Sequence, residues 1–306
     1  MKMKNRESFL AFLGLSLILT TAFLTGSTTS SMANSGGGAN AYLPFIARLY
    51  QGGLGSVTGT VTDALDGEVL DGQIDEAQVC YQGTICVFTT SSGDYTFSGL
   101  PSGARWLTAS APGYHSFSTP VIIQADATVV QNFPLAPDDL NPGQFRIILT
   151  WDADPPDLDA HLYTSYLIGP KKHVFQGNRG VCEDPGQTEA CLDIDATFGY
   201  GPETITIFEA PPADHGNVHF TYAVEKYEPC TPACPSPIEA SNAVVRVYGY
   251  TGLMRTYNVP TVNPGVKRFW SVFTLEFSKG EFIDIHDVDC LTDPPPTEDE
   301  PPTCPP

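Results

Sequence analysis

Basic residues are scarce in this chain: 15 lysines and arginines stand against 35 aspartates and glutamates, a formal net charge of -20. That balance excludes nucleic acid as a partner, because such binding rests on clustered Lys and Arg releasing counterions from phosphates. Long apolar runs are almost as rare. Only residues 9–24 form one, uncharged and preceded by Lys2, Lys4 and Arg6, and no second run follows. The mature chain is therefore expected to have no membrane span. Familiar catalytic motifs are also missing: no serine sits in a Gly-x-Ser-x-Gly elbow, and there is no His-Glu-x-x-His pair and no phosphate-cradling glycine loop. Nor is there the 3.6-residue period of a long helix, which leaves short alternating segments as the dominant pattern.

The first residues have the plan of a secretory signal peptide over 1–33: a basic start, a short apolar run, then small residues ending in Ser31-Met32-Ala33. An uncleaved anchor is the competing reading, although the run is short for a spanning helix. Residues 34–54 form a linker, rich at first in Ser, Gly and Asn. Its apolar positions Tyr42, Leu43, Phe45 and Ile46 are suited to docking on a neighbour. Eight cysteines occur, at 80, 86, 182, 191, 230, 234, 290 and 304. In an exported chain an even count favours disulfides. Closeness in sequence suggests Cys80 with Cys86, Cys182 with Cys191, Cys230 with Cys234 and Cys290 with Cys304. Zinc at Cys230 and Cys234 is the alternative, but a second ligand pair at usual spacing is missing. Localisation is thus secreted or cell surface, with an extracellular protein or a glycan as the partner.

Between 55 and 137, seven short strand-like runs (57–62, 77–81, 85–89, 95–98, 106–109, 120–123 and 129–135) are separated by turn residues such as Ser92-Gly93-Asp94 and Pro101-Ser102-Gly103. That spacing predicts a β-sandwich. The order Gly59-Thr60-Val61-Thr62-Asp63, then Ser92-Gly93-Asp94-Tyr95-Thr96-Phe97, then Gly99-Leu100-Pro101-Ser102-Gly103, Ala111-Pro112-Gly113-Tyr114 and Asn132-Phe133-Pro134-Leu135 resembles the carboxypeptidase regulatory-like domain. The resemblance implies a seven-stranded sandwich of transthyretin type and a non-catalytic accessory role. Trp106, Tyr95, Tyr114 and Phe117 admit two readings: core rings, since large aromatics are mainly buried area, or a carbohydrate-stacking platform.

After the polar break at 138–143, residues 144–290 read as a second β-sandwich, and 291–306 as a proline-rich acidic tail with no core. The fold class is all-β, with two sandwiches in tandem. In Asp157-Leu158-Asp159-Ala160-His161-Leu162 and Leu192-Asp193-Ile194-Asp195-Ala196, polar ligand types alternate with apolar residues. On strands, Leu158, Ala160, Leu162, Leu192, Ile194 and Ala196 would enter the core while Asp157, Asp159, His161, Asp193 and Asp195 share the other face. Carboxylates brought together in this way repel, and a bound cation relieves them. Gly199-Tyr200-Gly201-Pro202-Glu203 follows closely and can turn Glu203 and backbone carbonyls to the same place. An all-oxygen set suits calcium, with His161 as an orienting hydrogen-bond partner rather than a ligand. The alternative is that these acids face water separately.

These motifs, with Leu149-Thr150-Trp151 and Phe269-Trp270-Ser271-Val272-Phe273, resemble the YfaP-like secreted bacterial domains, whose function is uncharacterised. More remotely they are similar to the calcium-binding β-sandwich of tellurium-resistance proteins. That likeness implies calcium at Asp157, Asp159, Asp193, Asp195 and Glu203. The sequence thus points to a secreted, non-catalytic accessory or adhesion-type protein with a calcium site. The alternatives are a carbohydrate-binding module in the first domain and a metal-dependent hydrolase at His161 with Asp157 and Asp159.

Overall fold

Alternation of the kind just described produces eighteen strands in the structure, a computed structural model that describes residues 53–164, 173–182, 189–208, 218–227, 237–261, 269–277 and 279–288. The leader, residues 34–52, the tail and Cys230, Cys234, Cys290 and Cys304 lie outside them. Among the described residues no helix is long and apolar enough to cross a membrane.

The first sandwich comprises β1 (Leu54–Asp63), β2 (Gln78–Tyr81), β3 (Ile85–Phe88), β4 (Asp94–Pro101), β5 (Gly103–Ser110), β6 (Phe117–Ile123), β7 (Thr128–Val130) and β8 (Phe133–Leu135). One sheet runs β4-β1-β7, with β8 also on β1, and the other runs β3-β2-β5-β6. Period-2 burial in β1, where Val57 and Val61 are inside and Thr58 and Thr60 half-exposed, fixes its face. The run expected as one strand over 129–135 is two. It breaks at Gln131 and Asn132, where the Asn132 side chain accepts the Thr60 N–H at 3.1 Å in place of a backbone carbonyl. Gly59 lies against this break: a Cβ there would stand 1.8 Å from the Gln131 carbonyl oxygen, so only glycine fits.

The second sandwich comprises β9 (Phe145–Thr150), β10 (Leu158–Thr164), β11 (His173–Val174), β12 (Ala190–Ile194), β13 (Glu203–Ile207), β14 (His219–Lys226), β15 (Val244–Gly249), β16 (Gly252–Asn258), β17 (Phe269–Glu276) and β18 (Glu281–Asp287). Its sheets run β11-β10-β14-β17-β18 and β12-β13-β9-β15-β16. Leu149, Leu158, Leu162, Ile205, Tyr222, Val245 and Trp270 meet between them in one core. Trp270 and Tyr222 are fully buried and supply large apolar area to it.

Both sandwiches belong to one compact unit. Besides the two separate cores, a small third cluster of Ala64, Ala136, Leu140, Ile148 and Tyr248 joins them. Polar contacts reinforce it: Thr204 donates to the Ala64 carbonyl at 2.5 Å, and the Arg146 guanidinium reaches the Pro137 carbonyl and Asp139, both at 2.9 Å. Two of the expected disulfides, Cys80–Cys86 and Cys182–Cys191, are formed. Cys80 and Cys86 face each other across the β2–β3 hairpin, with Cα atoms 4.0 Å apart. Such bonds are compatible with an oxidising, extracellular compartment.

Candidate metal centre and aromatic faces

Leu158, Ala160 and Leu162 of β10 do enter the core, and Asp159 and His161 take the opposite face. That face is covered rather than solvated: Asp159 and His161 are both nearly inaccessible. Glu203, the first residue of β13, shares its phase with Ile205 and Ile207 and therefore points between the sheets. It reaches β10 where β11, paired only with Leu162 and Tyr163, has stopped. There the Ala160 N–H donates to Glu203 Oε2 at 2.5 Å, so the carboxylate stands in for a missing strand.

Asp157, Asp159 and Glu203 thereby come together, with one oxygen of each within 4.8 Å of the others. Glu203 Oε1 is buried, and the Asp195 side chain lies against this carboxyl. Burial pushes the Glu203 carboxyl well above its usual range, against the pull of the Ala160 N–H, and the charges of Asp159 and Asp195 push it the same way. The three carboxylates form an acidic cluster with the spacing of a ligand set.

Asp195 and Asp193 part company because of a bulge. Leu192 pairs with Ile205 but Ile194 pairs with Thr204, so Asp193 is the extra residue and the phase of β12 flips there. Ile194, expected in the core, turns outward toward Gly67 of the first sandwich. Asp195 falls in beside Glu203, which senses its charge. Asp193 points away, accepting from the Thr206 hydroxyl at 2.8 Å; its carboxyl is pushed up to about 6 by burial, with the Thr206 bond and Arg146 opposing. The structure does not bring Asp193 to the carboxylate cluster. Cys182 and Cys191, which approach Asp193, are joined to each other and so are not thiolate ligands.

His161 is turned elsewhere as well. Its Nδ1 lies 2.8 Å from His173 Nε2, and its Nε2 lies 3.2 Å from Glu225 without the alignment of a hydrogen bond. Tyr163, His173 and Phe175 stack with it, the Tyr163 and His173 rings 4.0 Å apart. His173 and Glu225 were not singled out from the sequence, since their meeting depends on which strands flank β10.

The loop closing the site needs two glycines. Gly199 has φ +34 and Gly201 φ +72; a Cβ on Gly201 would press on the Trp151 ring at 2.8 Å and the Leu149 carbonyl at 3.0 Å. The Tyr200 carbonyl, one of the backbone ligands envisaged, accepts the Trp151 N–H at 3.3 Å. Gly201→Ala is expected to cost about 1–2 kcal/mol from the left-handed backbone alone, read as a lower melting temperature. An unchanged melt would show that the loop does not need this conformation.

Of the four rings offered as a sugar platform, only Trp106 is well exposed, at 55%. Tyr95 is buried, the Tyr114 hydroxyl donates to Asp63 at 2.8 Å, and Phe117 lies under the Arg246 guanidinium.

Fold and site define a tandem β-sandwich protein with a carboxylate cluster at one end of the second sandwich. Residues 56–136 match the carboxypeptidase regulatory-like domain family. Among solved structures, a protein of unknown function, SAV2460, is similar at 17% identity over 46% of this chain and 84% of its own, with a TM-score of 0.33. A candidate carbohydrate-binding protein from Bacteroides uniformis is 11% identical over 67% of this chain and 97% of its own, TM-score 0.23. A DUF3823 family protein from Parabacteroides merdae is 14% identical over 56% and 91%, TM-score 0.23.

Proposed function

We propose that this chain is a secreted, non-catalytic accessory or adhesion-type protein whose second sandwich binds calcium through Asp157, Asp159 and Glu203, with Asp195 beside them. The observation that carries the proposal is the gathering of three carboxylates within 4.8 Å, one of them the buried Glu203, with Asp195 against it. Calcium accepts six to eight oxygen ligands in flexible geometry, so carboxylates at uneven depth suit it. Zinc or copper would call for imidazole or thiolate, and His161 is turned to His173 and Glu225 instead. The remote resemblance of the sequence motifs to the calcium-binding tellurium-resistance sandwiches is in keeping with this reading. Calorimetric titration of the full chain with calcium should give one binding event that Glu203→Gln abolishes. Heat unchanged by that substitution would remove the site. Hydrolysis of an ester, peptide or glycoside that disappears in Asp159→Asn would instead favour the metal-dependent hydrolase.

A second reading rests on Trp106, whose exposed ring stands on the outer face of the β3-β2-β5-β6 sheet, in register with Pro120 of β6, which lies two residues along from exposed Ile122. Such a surface fits glycan stacking. Trp106→Ala should abolish retention on the bound glycan while shifting stability by no more than about 0.5 kcal/mol, as for other surface changes. Retention without the ring would exclude the platform.

A further inference from the structure

Between the sandwiches lies a cleft of about 470 Å³, within the usual ~300–1,000 Å³ of small-molecule sites. Its lining includes Arg246 of β15, which is 2% exposed. The guanidinium stacks 3.9 Å over Phe117, and Nη2 donates to Thr150 at 3.4 Å. Its Nε has no partner, and no carboxylate pairs with the group, among the described residues. Burial disfavours the charge and lowers the Arg246 pKa from its ordinary value. Trp151 also borders the cleft, with its ring packed in the core of the second sandwich.

A buried guanidinium with an orphaned donor and no carboxylate beside it, among the described residues, calls for a ligand that brings acceptors and negative charge. A guanidinium whose face is covered by a ring still presents its edge, and that edge matches a carboxylate in a two-bond fork. A dianion suits the cleft less well, because Asp152 also lines it and the chain is strongly acidic. The remaining wall is made for hydroxyls and a carbon ring: Asn242, Asn258 and Thr256 offer amides and a hydroxyl, and Tyr200, 37% exposed, offers an aromatic surface. We propose that this cleft binds a sugar acid, its carboxylate on Arg246 and its hydroxyls on the surrounding amides. This site is separate from the calcium cluster and from the Trp106 face.

The test uses the full chain in saturating calcium with its three tryptophans labelled at the indole nitrogen, the signals assigned through Trp106→Phe and Trp151→Phe. A galacturonate trisaccharide should shift the Trp151 signal saturably and leave Trp106 unmoved, and maltotriose should shift neither. Arg246→Lys should weaken the affinity at least tenfold, since an ammonium cannot form the fork. Should that variant fail to fold, Asn258→Asp, at an exposed position, places a like charge on the cleft wall and should weaken binding several-fold. Four results would overturn the assignment: no shift at Trp151, an equal response to maltotriose, a response only to a peptide with a free carboxyl terminus, or affinity unchanged in Asn258→Asp. A shift at Trp106 alone would likewise reject the cleft, in favour of the outer face.

Discussion

Adding calcium to the chelated protein is expected to raise its melting temperature by about 5–10 °C. A ligand at 100 times its dissociation constant contributes about 2.7 kcal/mol, and domains of this size shift by roughly 2–4 °C per kcal/mol. Glu203→Gln should abolish that response and, in chelator near neutral pH, melt no lower than the wild type. It removes a buried carboxylate held against Asp159 and Asp195 while keeping an oxygen for the Ala160 N–H. The pH dependence has a definite sign. The Glu203 pKa is raised in the folded state, so its contribution is fully present below the unfolded value near 4.5 and is lost as pH rises through the folded one. Chelated protein should therefore weaken as pH rises above about 4.5 on account of this group, whereas calcium binding should strengthen over the same interval as protons leave the ligands. Thermal melts of the wild type, Glu203→Gln and Asp159→Asn, each with calcium and with chelator, check this. Equal melting temperatures with and without calcium in the wild type would refute it.

Removing the Cys182–Cys191 bond, by substituting both residues with alanine, is expected to cost about 2.6 kcal/mol. That is the loop-closure entropy for a separation of nine residues. The corresponding figure for Cys80–Cys86, at a separation of six, is about 2.2 kcal/mol. Cys191 is completely buried in β12, which ends next to Asp195, so loss of the staple should also diminish the calcium-induced rise. Melts of the two double-alanine variants check both effects. A loss below about 0.5 kcal/mol at 182/191 would show that β12 is held by its pairing with β13 alone.

The period-2 pattern made most of this architecture legible, because strands with one buried face advertise it. It failed where the period itself broke. One extra residue at Asp193 reversed β12, and uninterrupted alternation from Leu192 to Ala196 had put Asp193 and Asp195 on one face. Strand β18 was missed for a related reason: Glu281, Asp284, His286 and Asp287 interrupt its apolar residues, and Ile283 and Ile285 are exposed at the sheet edge. Asp157 and Asp159 were visible because they alternate with apolar residues, and Glu203 because it follows a glycine-rich turn. Arg246 was not, since one arginine in Val244-Val245-Arg246-Val247 reads as an ordinary outward residue until a second sandwich covers that face. What the sequence hid is what depends on one layer packing on another.

The central claim is a calcium ion held by Asp157, Asp159 and Glu203, and the most direct test is diffraction from crystals of the full chain grown in calcium, with anomalous data collected. The account predicts an anomalous peak among these carboxylates, with oxygen ligands at about 2.3–2.6 Å. A map with no peak there at saturating calcium, and with Glu203 still hydrogen-bonded to the Ala160 N–H, would contradict it.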